Sequence, residues 1–340
     1  MAKKIKDSEK KSLRLTIKLK LILLTGGFLV LLGIFGILTY YSFKQIIRYD
    51  ELNANVNNIA RLVAQTKICE KDFLARESTN PDFFVTKESV YFNKITESRV
   101  QILNVIFGMD SCSICNSIQN FHENTDSISE LYTHYIKTLE EAKSLVLARG
   151  YKDYGLVGEM RAAIHTVTDA VEELGNCDYS NMALTLRKHE KDYIIRKDKQ
   201  YIDRFNDLVD KFNQKILQST LDEATVNNLM HQLDQYKTKF NKLAEVELSI
   251  GKDEETGIRG QLNTHYQNMQ IKIDETIHTI ANKREQKIRL MSIQFVLVIA
   301  LIALTFTITH HRIGREILKP LKLFKIYFDS LSQGEPPRRK

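Results

Sequence analysis

The sequence lacks the motifs that mark common enzyme classes. It contains no glycine-rich nucleotide-binding loop, no Gly-x-Ser-x-Gly nucleophile elbow and no His-Glu-x-x-His metal motif. Its Gly155-x-x-Gly158 pair leads into a predicted helix but lacks the preceding strand that dinucleotide binding requires. We therefore expect no catalytic domain in this chain, no cofactor and no resident metal.

Proline and tryptophan are also scarce. The 340 residues include no tryptophan and four prolines, of which only Pro81 lies between residues 44 and 289. Apolar residues in that region recur three and four positions apart, which is typical of amphipathic helices. The sequence therefore predicts an all-α fold, with helices near residues 43–78, 82–107, 114–149, 156–174, 179–218, 222–249 and 256–311.

Long apolar runs are present at both ends. Residues 21–43 and 290–311 contain no aspartate, glutamate, lysine or arginine, and each run exceeds the roughly 20 residues that cross a bilayer as a helix. The first run ends in Leu38-Thr-Tyr-Tyr-Ser42, where a cleaved signal peptide would need small residues. We predict two transmembrane helices, the first a retained signal anchor.

The flanks of these runs predict the orientation. Residues 1–20 contain eight lysines and arginines against two acids, and residues 312–340 contain eight against three. Because lysine and arginine accumulate on the cytoplasmic side, we predict a two-pass protein of the bacterial cytoplasmic (inner) membrane. Both termini are then cytoplasmic and residues 44–289 periplasmic or otherwise extracytoplasmic. The two flanks carry formal charges of +6 and +5, so the overall +7 leaves −4 for the segment between them, and we expect no nucleic-acid partner.

An internal repeat organises the region between the apolar runs. Glu70-Lys-Asp-Phe-Leu-Ala-Arg76 returns 120 residues later as Glu190-Lys-Asp-Tyr-Ile-Ile-Arg196, and Gly155-Leu-Val-Gly158 returns 102 residues later as Gly257-Ile-Arg-Gly260. The repeat predicts two stacked four-helix-bundle modules that share long helices. At 1.5 Å per residue, the first charged motif and the second glycine turn lie about 40 and 45 Å from the nearer apolar run, so we expect them to face each other.

These motifs resemble a known receptor family. Leu186-Arg-Lys-His-Glu-Lys-Asp-Tyr-Ile-Ile-Arg196, together with the segment from Gly155 to His165, resembles the helical bimodular sensor domain of bacterial chemoreceptors and sensor histidine kinases, over about residues 43–290. Ile317-Leu-Lys-Pro320-Leu321, followed by Gly334, resembles the first helix of a HAMP linker. The expected divisions are a cytoplasmic N-terminus (1–20), a first span (21–43), a sensor domain (44–289), a second span (290–311) and a partial HAMP-like linker (312–340).

The resemblance implies a transmembrane signal-transduction receptor. Such a protein binds a small ligand outside the cytoplasm, here expected to be an organic acid, and relays a helix displacement through the HAMP segment. Since the sequence ends before a second HAMP helix, we expect a histidine kinase or chemotaxis output elsewhere in a full-length protein. Parallel homodimers are expected because one helix alone cannot bury its leucines, Leu318, Leu321, Leu323 and Leu331.

Five basic residues are candidates for binding the acid. A carboxylate ligand needs fixed cations, and arginine offers a planar bidentate fork. Lys67, its repeat equivalent Arg187 and Arg259 of the second glycine turn lie beside the repeated motifs, whereas Arg161 and His165 lie four residues apart on one helix face. The alternative is that these side chains are solvated charges or, for His165, a half-buried helix residue.

The cysteines leave a second class of function open. Cys112-Ser-Ile-Cys115 occupies a predicted turn and is compatible with a local disulfide or ordinary thiols, with a redox-active pair, or with half of a metal site. Cys69 and Cys177 cannot be paired from the sequence. The alternatives to small-molecule sensing are therefore a thiol redox sensor at Cys112 and Cys115 and a scaffold that recognises a partner protein.

Overall fold

The computed structural model describes residues 17–110 and 112–332. These residues form helices and turns with no strand, which confirms the all-α prediction. The helices are α1 (Ile17–Arg76), α2 (Pro81–Thr86), α3 (Val90–Asp110), α4 (Phe121–Arg149), α5 (Gly155–Glu173), α6 (Cys177–Arg196), α7 (Gln200–Leu217), α8 (Glu223–Ile250), α9 (Gly257–Ile313) and α10 (Lys319–Ser332).

The chain divides into two compact units. One is Leu52–Ile280; the other combines the described residues of Met1–Glu51 and Ala281–Lys340. Helices α1 and α9 extend into both units. Each is long and apolar enough to span a membrane, and its most apolar stretch is not buried. The second unit contains an exposed ion pair between Arg284 and Asp50. Two such helices are compatible with a two-pass membrane protein.

Within Leu52–Ile280, helices α5, α6, α7 and α8 share one hydrophobic core. Its centre is aromatic: the Phe205 ring lies 4.0 Å from the Phe240 ring and 5.0 Å from the Tyr236 ring, centroid to centroid. On α7 the buried residues Phe205, Val209, Phe212 and Ile216 recur at spacings of four and three, so one face of that helix enters the core.

A second aromatic cluster packs against α1. The Phe73 ring of α1 meets Phe83 of α2 and Phe92 of α3 edge-on, with centroid separations of 5.5 and 4.9 Å. Edge-to-face packing at these distances is favourable for aromatic pairs. Val146 near the end of α4 and Ile250 at the end of α8 belong to the same buried cluster, so it joins segments from both copies of the repeat.

The helix predicted over residues 179–218 is instead two helices, α6 and α7. Lys197 adopts a left-handed conformation with φ 55°, and its N–H caps α6 by donating to the Tyr193 carbonyl. The Asp198 side chain then accepts from the Gln200 N–H at 3.0 Å, which favours a new helix start. The helix predicted over 82–107 is likewise divided between α2 and α3, because Lys87 is left-handed with φ 59°.

The two glycine turns have the same construction. Gly150 and Gly155 of the first turn and Gly251 and Gly257 of the second all have φ between 58° and 90°. A Cβ on Gly251 would lie 2.0 Å from the Thr256 carbonyl oxygen, so only glycine fits there. These turns connect α4 to α5 and α8 to α9.

Candidate functional site

The first repeated motif contains a buried charge cluster. The Nζ atom of Lys67 donates to both carboxylate oxygens of Glu70, at 2.9 and 3.1 Å, and the Tyr135 hydroxyl of α4 donates to the same carboxylate. Glu70 is 3% exposed and Lys67 6%. Burial and the neighbouring carboxylate raise the pKa of Tyr135 well above its usual value. The Glu70 carboxylate therefore balances the charge of Lys67 inside the protein.

The second repeated motif has a matching cluster. Glu190 is 1% exposed and accepts from the Tyr236 hydroxyl of α8 at 2.6 Å. Its cation is the adjacent Lys191, whose Nζ lies 2.8 Å from the carboxylate. Burial, reinforced by Glu190, raises the pKa of Tyr236, while the charge of Arg187 opposes the rise. Arg187 is half-buried and has no ion-pair partner among the described residues.

The first motif contacts the second glycine turn, as the repeat predicted. Lys71 of α1 forms an ion pair with Glu254 of that turn at 2.8 Å. The hydrogen bond from Lys71 holds the pKa of Glu254 below its usual value, and the charges of Lys67 and Arg259 act in the same direction. The charges of Lys67 and Arg259, two of the five candidate residues, thus both act on the Glu254 carboxylate.

Four charged residues meet where helices of the two repeats begin and end. This junction cluster consists of Arg149 at the end of α4, Lys197 just after α6, Glu247 near the end of α8 and Arg259 in the first turn of α9. Lys197 Nζ lies 2.7 Å from Glu247 Oε1, and Glu247 is 9% exposed. Burial lowers the pKa of Arg149; Glu247 opposes that effect, and Arg259 adds to it.

The two guanidinium groups of the junction cluster bond mainly to backbone carbonyls. Arg149 Nη2 donates to the Ser78 carbonyl at 2.5 Å, and Arg259 Nη1 donates to the Lys252 carbonyl at 3.4 Å. Arg259 Nε is buried and has no hydrogen-bond partner among the described residues. Because Glu247 is already paired with Lys197, the cluster has more positive than negative charge. That balance suits an anion, which arginine binds through two parallel donors.

A polar surface cavity lies along the first turns of α9, and no member of the junction cluster is among its lining residues. Its volume is about 530 Å³, within the range of small-ligand sites, and it is lined by Glu254, Glu255, Gly257, Gly260, Gln261, Asn263, Thr264 and His265. The His265 ring stacks on the His134 ring of α4, with centroids 6.2 Å apart. Arg259 lies between two lining residues in the chain, so the cavity and the cluster share the first turn of α9.

The remaining two cationic candidates lie on α5. Arg161 Nη1 is 3.2 Å from Asp153 Oδ1 of the first glycine turn, and the arginine side chain is 42% exposed. His165 is exposed. Their roles in ligand binding stay predictions.

None of the four cysteines forms a disulfide in the part of the chain that the structure describes. Cys115 is fully buried, and its N–H donates to the Cys112 carbonyl at 3.2 Å within a turn. Burial raises the pKa of the Cys69 thiol, which disfavours the reactive thiolate. Across the described residues, no group of three or more histidine, cysteine, aspartate or glutamate side chains is arranged to hold a metal ion.

Comparison with protein-family models, curated proteins and solved structures gives no match. The resemblance to bimodular sensors therefore stays a prediction from the repeated motifs, and the functional argument rests on the geometry of the site.

Sequence reasoning singled out Arg259 but did not find the other members of the junction cluster. Arg149 directly precedes Gly150, which begins the first glycine turn, and Lys197 directly follows the repeated motif. A search for basic residues at the predicted helix ends would have found Arg149. It would have missed Lys197, because the helix predicted over residues 179–218 runs through that position. Glu247 offers no comparable signal, because its role depends on where α8 meets α6.

Proposed function

We propose that this chain is a two-pass membrane receptor that binds a small organic acid at the junction cluster, outside the cytoplasm, and passes the signal along α9. One observation carries the proposal. Helix α9 is continuous from Gly257 to Ile313: it begins in the turn that holds Arg259 and contains the apolar run 290–311. A ligand held by Arg259 therefore contacts the same helix that is long and apolar enough to enter the membrane.

The charge balance explains how a carboxylate ligand could act. In the unliganded protein, the positive charges of Arg149 and Arg259 disfavour each other. A carboxylate accepting from the free Nε of Arg259 would remove that repulsion and join the start of α9 to the end of α4. The ligand would thus stabilise one of two closely related helix packings, which is the thermodynamic requirement for a signal.

The proposed architecture has two stacked modules. Helices α5 to α8 form one around their shared core, and α3 and α4 with the Leu52–Ile280 portions of α1 and α9 form the other. The ion pair of Lys71 with Glu254 and the stacked rings of His134 and His265 support the second grouping. In this arrangement the junction cluster lies at the boundary of the modules, where a ligand can influence both.

A thermal-unfolding screen tests the proposal. The full chain in detergent is heated with a panel of mono-, di- and tricarboxylates, and unfolding is followed by circular dichroism. An acid at 100 times its Kd should add about 2.7 kcal/mol to the free energy of unfolding. We expect a rise in Tm with one acid or one acid class, lost in Arg259→Ala and retained in Arg204→Ala, which removes an exposed arginine of α7.

Two results would count against the proposal. If no acid raises the Tm, the chain is not a receptor for small carboxylates. If an acid raises the Tm equally in the wild type and in Arg259→Ala, the junction cluster is not the binding site.

A further inference from the structure

Helix α10 leaves a large apolar surface uncovered. None of its described residues is buried. Leu323, Phe324 and Phe328 are 64%, 68% and 69% exposed. The helix follows a short π-helical segment, Gly314–Leu318, which continues directly from the end of α9.

The apolar side chains of α10 form a wide arc. At 3.6 residues per turn, the arc spans roughly 160° of the helix circumference and is formed by Leu321, Leu323, Phe324, Tyr327, Phe328 and Leu331. The opposite side carries Lys319, Lys322, Lys325 and Asp329. The helix is therefore amphipathic, with three basic residues and one acidic residue on its polar side.

The width of this arc distinguishes between two possible partners. Leu321, Phe324, Phe328 and Leu331 have the three-and-four spacing of a coiled-coil seam, which a second copy of the helix could cover. Leu323 and Tyr327 lie outside that narrow seam and would stay in water. A bilayer surface covers the whole arc.

We propose that α10 binds the surface of an anionic phospholipid membrane, with its apolar arc between the headgroups and the acyl chains. Three features support this partner: the basic polar side, the aromatic residues within the arc, and the start of the helix a few residues beyond the apolar run 290–311. The predicted orientation makes this the cytoplasmic leaflet. The π-helical segment and Pro320 interrupt regular α-helical hydrogen bonding, and such interruptions are where helices change direction. This inference does not depend on ligand binding.

The absence of tryptophan from the chain provides a direct test. Phe328→Trp places a single fluorescent reporter in the apolar arc, and Ile326→Trp places one on the polar side, two residues away. Each full-length variant is reconstituted in nanodiscs of phosphatidylcholine with or without phosphatidylglycerol. Tryptophan emission is then quenched either by brominated phosphatidylcholine or by aqueous acrylamide.

Membrane binding predicts opposite results for the two reporters. With phosphatidylglycerol present, brominated lipid should quench Phe328→Trp strongly, whereas acrylamide should quench Ile326→Trp. Omitting phosphatidylglycerol, or replacing the three lysines by glutamine, should weaken the lipid quenching of Phe328→Trp.

Three results would overturn the proposal. Protection of Phe328→Trp from both quenchers would show that a second copy covers the arc, as the leucine pattern first suggested. Quenching of Phe328→Trp by acrylamide would show that the arc lies in water. Equal lipid quenching with and without phosphatidylglycerol would show that anionic lipid is not the partner.

Discussion

At the residue scale, two buried carboxylates define how the repeats are built. Glu70 and Glu190 occupy the same position in the two copies, and each accepts a tyrosine hydroxyl from another helix, α4 or α8. A buried charge is strongly unfavourable unless it is paired and hydrogen-bonded. These contacts therefore favour one register of α1 against α4 and of α6 against α8.

Removing the first carboxylate should be costly. Glu70→Ala leaves the Lys67 ammonium buried without its partner, and such a loss costs about 3–5 kcal/mol. Urea unfolding of the full chain in detergent measures the change. The control is Glu254→Ala, which removes an exposed pair with Lys71 and should cost less than about 1 kcal/mol. Equal losses in the two variants would contradict a buried ion pair.

Acid should weaken the contact between His134 and His265. Burial, followed by the nearby His134, holds the pKa of His265 below 6.5. The unfolded chain then binds this proton more readily than the folded chain, so stability falls as the pH drops below about 6.5. Between pH 7.5 and 5.5, the Tm of the wild type should fall more than that of His265→Gln.

Protonation of His189 does not affect the comparison between the wild type and His265→Gln. Burial lowers its pKa as well, and it is present in both proteins, so the difference between them reports His265. Parallel Tm curves for the two proteins would contradict the assigned shift.

The residue-level site could be predicted only in part. Spacing placed Lys67 and Arg259 beside the repeated motifs, but it could not show that Glu70 neutralises Lys67 in the interior. That outcome depends on Tyr135, which is 65 residues away and completes the bonding of the carboxylate. The approach of Arg149 to Arg259 also depends on tertiary packing, because no local pattern joins the end of α4 to the start of α9.

At the element scale, the glycine turns fix where α5 and α9 begin. In the second turn, Gly257 has φ 58°, and a Cβ there would lie 2.6 Å from both the Gly251 nitrogen and the Ser249 carbonyl oxygen. The backbone is thus too tightly folded for a side chain. This compactness places Arg259 close to the ends of neighbouring helices.

A matched pair of alanine substitutions separates steric overlap from backbone strain. Gly175 has nearly the same φ as Gly257, 60°, but no atom lies within 4 Å of the position that a Cβ would take. Gly175→Ala should therefore cost only the backbone strain of a left-handed alanine, about 1–2 kcal/mol. Gly257→Ala adds a clash between the new Cβ and backbone atoms of the turn, so it should lower the free energy of unfolding by more than Gly175→Ala does. Urea unfolding of both variants measures the difference, and equal losses would show that the turn relaxes readily.

The break between α6 and α7 was missed, although the sequence held a signal for it. The first copy breaks at Ser78-Thr-Asn-Pro81, and adding the repeat offset of 120 gives residues 198–201. The second copy has no proline there, and apolar spacing resumes after the break, so periodicity alone suggested one helix. A left-handed residue and an aspartate cap end α6 without a helix-breaking residue type.

At the scale of the whole molecule, the helical class and the two long apolar helices followed from composition and hydrophobic spacing. These features depend on local sequence and are the easiest to predict. The stacking of two modules depends on contacts between distant segments, and it stays part of the proposed function.

The proposed ligand site and helix α10 belong to different units of the chain. The junction cluster belongs to the unit Leu52–Ile280, whereas α10 belongs to the other unit. A chain that ends at residue 311 should therefore keep the full acid-induced rise in Tm while losing any cytoplasmic response. Loss of the rise in Tm would show that residues 312–340 contribute to binding.

The most direct test of the central claim is the Tm of Arg259→Ala, measured with and without the acid found in the screen. If the junction cluster is a ligand site, removing one of two mutually repelling guanidinium groups should leave the unliganded Tm unchanged or higher, and the acid should no longer raise it. A lower unliganded Tm together with a full acid-induced rise would contradict the account, because Arg259 would then serve the fold rather than the ligand.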